Sequence, residues 1–305
     1  MAITAGMVKE LREMTGAGMM DCKKALSETN GDMDAAVEFL RKNGQAKAEK
    51  KAGRIAAEGI VKTVVKDNKA AIVEVNSETD FVAKNEEFVT FVDTLAKMAL
   101  ESDAADMDAF MALPYEGEGT VQDALNNKIA TIGENMNIRR FQKLAEPGVV
   151  YTGYIHGGGT IGVIVGLETE ATADEIAVTG KDVAMQVASM NPKFLDETQV
   201  DPAWLESETE IAKQQLLNEG KPEKLLERII PGKIKAILKE VCLVDQKFVK
   251  NGDLTVKQYV DEAGKELGKD MKVAAMVRYE VGEGIEKKEE DFAAEVAAQQ
   301  AAARK

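Results

Sequence analysis

The 305-residue chain has one histidine and two cysteines, and aromatic residues make up 5% of it. Each scarcity excludes something. A single histidine rules out multi-histidine metal sites and leaves most acid–base schemes without their usual proton carrier. Cys22 and Cys242 are far apart and lack CxxC spacing, so they form neither a disulfide framework nor a structural zinc site. Few aromatics leave single-stranded nucleic acid without stacking platforms. The net charge of −14, from 39 Lys and Arg against 53 Asp and Glu, repels phosphate backbones. Lys9 and Glu10 interrupt the N-terminus before an apolar signal region can form, so the expected compartment is the reducing cytoplasm. The longest uncharged stretch, between Glu146 and Glu168, carries seven glycines; it reads as a β-hairpin and not as a membrane span.

What is present is 45% hydrophobic and 30% charged residues, enough for a soluble core of about two domains' size. Val8, Leu11 and Met14, then Cys22, Ala25 and Leu26, then Met33, Ala36, Val37 and Leu40 recur at helical spacing, and predict a three-helix module punctuated by Gly31 and Gly44. Met19-Met20 closes the glycine turn between the first two helices. The pattern fits two core plugs, and leaves open an exposed apolar contact. Arg41 to Arg54 reads as a basic linker, a solvated run or a steering surface for an acidic partner.

Gly59–Val65 and Lys69–Asn76 then predict a hairpin, and Glu86 to Leu100 a helix capped by Asn85. Glu101 to Gly119 has six acids and no base and predicts a surface loop or short helices of little consequence. A helix from Thr120 toward Ile132 and a strand over Met136–Leu144 follow. The order recurs: a hairpin over Val149–His156 and Thr160–Leu167, a helix over Asp174–Met190 and a strand over Asp270–Val281. Pro202–Glu219 and Pro222–Val241 read as an antiparallel helical hairpin, with Pro231 kinking or restarting its second arm. The fold class is therefore α+β, with two related subdomains after the helical module.

The chemistry is sparse. Gly157 to Gly162 formally fits GxGxxG, but β-branched residues follow where the dinucleotide fingerprint needs a helix, so these glycines make a turn. His156 stands at a strand end, at the surface or in an interface. Cys22 beside Lys23 and Lys24 has a setting that lowers a thiol pKa, yet no second catalytic group is near it in sequence, and a small core residue is the simpler reading. Asn76 to Lys84 joins the first hairpin to the long helix, and here Phe81 and Val82 follow Asp80 in what should be a loop. Phe81 either staples back onto the helix or is displayed.

Four motifs carry a resemblance. Leu11 to Leu26 (LREMTGAGMMDCKKAL), Thr79 to Ala83 (TDFVA), Ile132 to Asn135 (IGEN) and Val281 to Lys287 (VGEGIEK) resemble, in order, the signatures of the bacterial translation elongation factor Ts family. The resemblance implies a guanine-nucleotide exchange factor for elongation factor Tu, without catalytic chemistry, cofactor or metal of its own. It implies a ubiquitin-associated-like module and linker over 1–54, core subdomains over 55–145 and 146–285, a dimerisation hairpin at about 191–245, and a C-terminal helical module over 286–305. Arg12, Met19 and Met20 would contact the partner's nucleotide domain, Thr79, Asp80, Phe81 and Val82 would enter near its magnesium, and His156 would fall on the second subdomain's contact surface. The partner would be met in GDP-bound and nucleotide-free states, with neither nucleic acid nor membrane as a ligand. The rival readings are an interaction adaptor using the first module alone and a thiol enzyme built on Cys22.

Overall fold

A computed structural model describes residues 3–117 and 119–286. Three helices come first: α1 (Ala5–Thr15), α2 (Met19–Glu28) and α3 (Met33–Lys51). Thr4 and Asp32 cap α1 and α3 by accepting from Met7 N and Ala35 N, which satisfies backbone donors that a helix start leaves open. Val8, Leu11, Cys22, Ala25, Leu26, Ala36 and Leu40 form their core.

The basic linker expected from Arg41 to Arg54 is instead mostly helix, because α3 continues through Gly44 to Lys51. The stripe Ala36, Leu40, Gly44 and Ala48 is buried along one face, and a Cβ on Gly44 would lie 3.3 Å from Asn127 Oδ1. Gly44 is therefore a close-approach point between helices, not a stop. Several positive charges of this run are engaged: Arg41 Nη2 lies 2.6 Å from Asp123 Oδ2, Lys47 Nζ lies 2.9 Å from Asp21 Oδ2, and Lys51 Nζ donates to Ile129 O at 3.0 Å.

The chain continues as β1 (Glu58–Lys66), β2 (Lys69–Ser77), α4 (Asp80–Ala83), α5 (Glu86–Glu101), α6 (Met107–Met111), β3 (Pro114–Tyr115), β4 (Gly119–Thr120), α7 (Val121–Ile132) and β5 (Met136–Leu144). Next come β6 (Val149–His156), β7 (Ile161–Thr169), α8 (Ala177–Met190), α9 (Pro202–Asn218), α10 (Glu223–Val241), β8 (Lys247–Phe248), β9 (Asn251–Thr255), α11 (Val256–Leu267) and β10 (Met271–Glu280). Two three-stranded antiparallel sheets have orders β1-β2-β5 and β10-β7-β6. In each, a hairpin gains a later strand on its second arm, and a helix with an N-terminal capping box leads into that strand. Asp67 and Asn68, both with positive φ, make the tight turn of the first hairpin, as two-residue hairpin loops favour.

The sheets face each other. Ala70 and Ile72 of β2 point inward with Val61, Ile164, Val277 and Tyr279, whereas Ala71, Val73 and Val75 point outward to Phe88, Phe91, Val92 and Leu95 of α5. On the other side Val163, Val165 and Leu167 of β7 meet Val183, Ala184 and Val187 of α8 and Val256 and Val260 of α11. Strands buried on both faces explain the near-continuous apolar runs Ala70–Val75 and Val163–Leu167.

The acidic segment after Glu101 has more consequence than its composition predicts. Phe110 of α6 is wholly buried, with its ring stacked 4.5 Å from that of Phe141. Helices α9 and α10 lie against each other with Pro231 inside an uninterrupted α10, and they bury Ala212, Leu216 and Leu226. Helix α11 is an element for which the sequence reading has no counterpart. Apart from Glu286, the helical module expected over 286–305 lies outside the described residues. Among the described residues no helix is long and apolar enough to cross a membrane.

Candidate functional site

The Thr79–Val82 segment is not the expected loop but a single helical turn, α4. Thr79 caps it, its hydroxyl oxygen accepting from Val82 N at 3.3 Å. Val82 and Ala83 are buried in the α5 core, which fixes one face of the turn. Phe81 faces away and is 82% exposed, so it is not stapled onto a helix. An apolar ring held in water by a capped turn is unusual, since burial of such a side chain is worth about 1.5–3 kcal/mol. Beside it Asp80 Oδ2 accepts from Lys84 Nζ at 2.6 Å, and this hydrogen bond holds the Asp80 carboxyl below its ordinary range.

Beneath the turn lies a polar clasp that sequence reasoning did not assign. Gly133, with φ 94°, ends α7 and turns the chain so that the half-buried Glu134 reaches back. Glu134 Oε2 accepts from Glu78 N at 3.1 Å and Thr79 N at 3.0 Å, while Oε1 accepts from the Thr79 hydroxyl at 2.6 Å. The exchange is reciprocal: Glu78 Oε1 accepts from Asn135 N at 2.5 Å and faces Arg54 Nη1 at 3.4 Å, and Asn135 Nδ2 donates to Arg54 O at 2.7 Å. The IGEN motif was visible in the sequence, and its signal was a polar Glu-Asn pair straight after a helix-ending glycine.

A second exposed cluster surrounds the turn between α1 and α2. Gly16 ends α1 in the left-handed conformation, its N–H bonding Arg12 O, and Arg12 is exposed. Met19 and Met20 begin α2 at 59% and 75% exposure. They plug no core. Cys22, one turn on, is buried, and that burial pushes its thiol up, opposite to the lowering its neighbouring lysines imply; a nucleophilic role finds no support.

His156 ends β6, exposed, with Nδ1 3.0 Å from the Tyr154 hydroxyl. The following Gly157–Gly159 is a tight hairpin turn whose last residue rests on Ile60 of β1, and Ile60 shares a core with Val82. The structure thus ties the Thr79 turn to the second sheet through Ile60, and to the end of α3 through Arg54. Among the described residues no three His, Cys, Asp or Glu side chains group so as to hold a metal ion.

The chain matches the family model described as "Elongation factor TS" over residues 78–283, a span that holds Glu78, Glu134 and Asn135 of the clasp, the Phe81 turn and His156. It is 55% identical over 299 residues to the protein named Elongation factor Ts of Clostridioides difficile (strain 630), covering 97% of this chain and 98% of that one. It is 56% identical over 298 residues to the like-named protein of Clostridium tetani (strain Massachusetts / E88), with 96% and 98% covered. A further Elongation factor Ts, from Clostridium perfringens (strain SM101 / Type A), is 53% identical over 297 residues, covering 97% and 98%. With a family model matched over more than half its length and relatives this similar from end to end, the chain belongs to the elongation factor Ts family of translation elongation factors.

Proposed function

We propose that the chain is a guanine-nucleotide exchange factor, which docks on elongation factor Tu carrying GDP, disturbs its magnesium and phosphate site, and so promotes GDP release during elongation in the cytoplasm. The observation that carries this reading is Phe81, displayed on a capped turn beside Asp80, whose carboxyl is held below its ordinary range by the Lys84 hydrogen bond. Magnesium in such sites is held by phosphates and one or two protein oxygens and keeps several waters, so small ligand shifts weaken it. Seating Phe81 in a cleft of the partner contributes about 1.5–3 kcal/mol. Asp80 leaves its exposed, solvent-screened Lys84 pair at little cost and competes for donors or waters that support the ion.

Arg12, Met19 and Met20 supply a second contact on the nucleotide domain, and His156 a third. These contacts act by binding, so no covalent chemistry, cofactor or metal belongs to the factor. The coupling is reciprocal: whatever factor by which docking weakens nucleotide, nucleotide weakens docking, and the supply of GDP or GTP sets the direction. The α9–α10 hairpin is the segment assigned to self-association, and nucleic acid and membrane are not ligands. The test is release of fluorescent GDP from purified elongation factor Tu with magnesium, with and without this chain. Acceleration at substoichiometric factor supports exchange. Binding without acceleration supports an adaptor that uses only the helical module.

A further inference from the structure

The exposed turn is only as useful as it is stiff, and what stiffens it comes from 55 residues away in the sequence. We propose that Glu134 is the positioning residue of the Phe81 turn, acting through Thr79 and touching no partner atom; this rests on the exchange reading above. A helix of one turn has no stability of its own, since nucleation fixes several dihedrals for one hydrogen bond. Here the missing bonds are supplied from outside. Glu134 takes the N–H groups of Glu78 and Thr79, which lead into α4, and also the Thr79 hydroxyl proton. A hydroxyl has one proton to give. With that proton on Glu134, the Thr79 lone pairs face Val82 N, so the cap and the clasp orient each other.

Glu134 makes no ion pair among the described residues; its two oxygens are spent on these three donors. The reciprocal bonds from Asn135 N to Glu78 and from Asn135 Nδ2 to Arg54 O fix the carboxylate's own backbone. Phe81 acts on the state that still holds GDP, while the helical module and the second subdomain keep their contacts with the empty partner, so loss of the clasp should appear mainly in the rate at which bound GDP is expelled.

The experiment measures GDP release from elongation factor Tu over a range of factor concentrations for wild type, Glu134→Ala, Phe81→Ala and the double variant, at matched folded concentration checked by circular dichroism. Glu134→Ala is expected to lower the maximal release rate about tenfold, leave the affinity for nucleotide-free partner within about twofold, and add less than twofold to the loss caused by Phe81→Ala. Should Glu134→Ala fail to fold, Glu134→Gln serves: its amide has one acceptor oxygen where the carboxylate has two, so it cannot accept from the two backbone N–H groups and from the Thr79 hydroxyl together, and about threefold loss with the same non-additivity is expected. An unchanged maximal rate, a multiplicative double variant, or a loss confined to affinity overturns the proposal. A wild-type chain that binds without releasing GDP instead overturns the exchange reading on which it rests.

Discussion

Glu74, wholly buried at the centre of the first sheet, accepts from Arg140 Nε on the neighbouring strand at 2.6 Å. Three other donors complete its shell: Arg139 Nη1 at 3.1 Å, Asn76 Nδ2 at 3.1 Å and Gly282 N at 2.9 Å. Arg140 also reaches Glu283 and lies over the Tyr279 ring, 4.1 Å from its centroid. The VGEG motif is therefore a turn latched onto the first sheet, tying the end of β10 to β2 and β5.

Removing this carboxylate should cost stability. The two arginines are partly exposed and can turn to water, so the low end of the range for breaking a buried pair applies. Glu74→Ala is expected to lower unfolding free energy by about 3 kcal/mol in urea denaturation. A change below about 1 kcal/mol would show that the latch is ornamental.

The Gly44 contact predicts a size threshold. Gly44→Ala gains about 1 kcal/mol of helix propensity against a contact at 3.3 Å with the movable Asn127 side chain, and should be near neutral. Gly44→Leu must push α3 away from α7 and should destabilise by about 1–3 kcal/mol. Equal denaturation midpoints for the two variants would place the glycine outside a tight interface.

For the displayed turn, Phe81→Ala and Asp80→Ala should each slow GDP release from elongation factor Tu about tenfold, equivalent to about 1.4 kcal/mol of transition-state stabilisation. Their Tm should stay near that of the wild type, because both side chains are in water. A marked fall in Tm with unchanged exchange would make Phe81 a structural residue.

A pH effect follows from Tyr259, stacked on Phe248 and donating to the buried Asp182 carboxylate at 3.0 Å. Burial, with the Asp182 hydrogen bond and charge, pushes its phenol up to about 12 from the ordinary 10. The folded state thus holds a proton that the unfolded chain releases first, so this contribution is full below pH 10 and disappears as pH rises toward 12. Wild type should lose more Tm between pH 10 and 12 than Tyr259→Phe; parallel curves would refute the assignment.

Local signals in the sequence were written by residues close together. Asn85 caps α5 and Thr120 boxes with Asp123 at the start of α7, because both caps need partners only two or three residues away. The Asp67-Asn68 turn and the β-branched runs around it set the first hairpin for the same reason. By contrast, Gly44 reads as a stop in isolation, and only the neighbouring α7 makes it an interior contact.

The sequence by itself determined the α+β composition, most helix and strand positions, and the exposed or buried alternatives for Met19, Met20 and Phe81. Tertiary structure decided between those alternatives, since exposure depends on what packs above a residue and not on its neighbours in the chain. It also decided that two sheets share an inner face and that Glu134 reaches Thr79. Each of these joins groups dozens of residues apart, through hydrogen bonds and burial that no periodicity records.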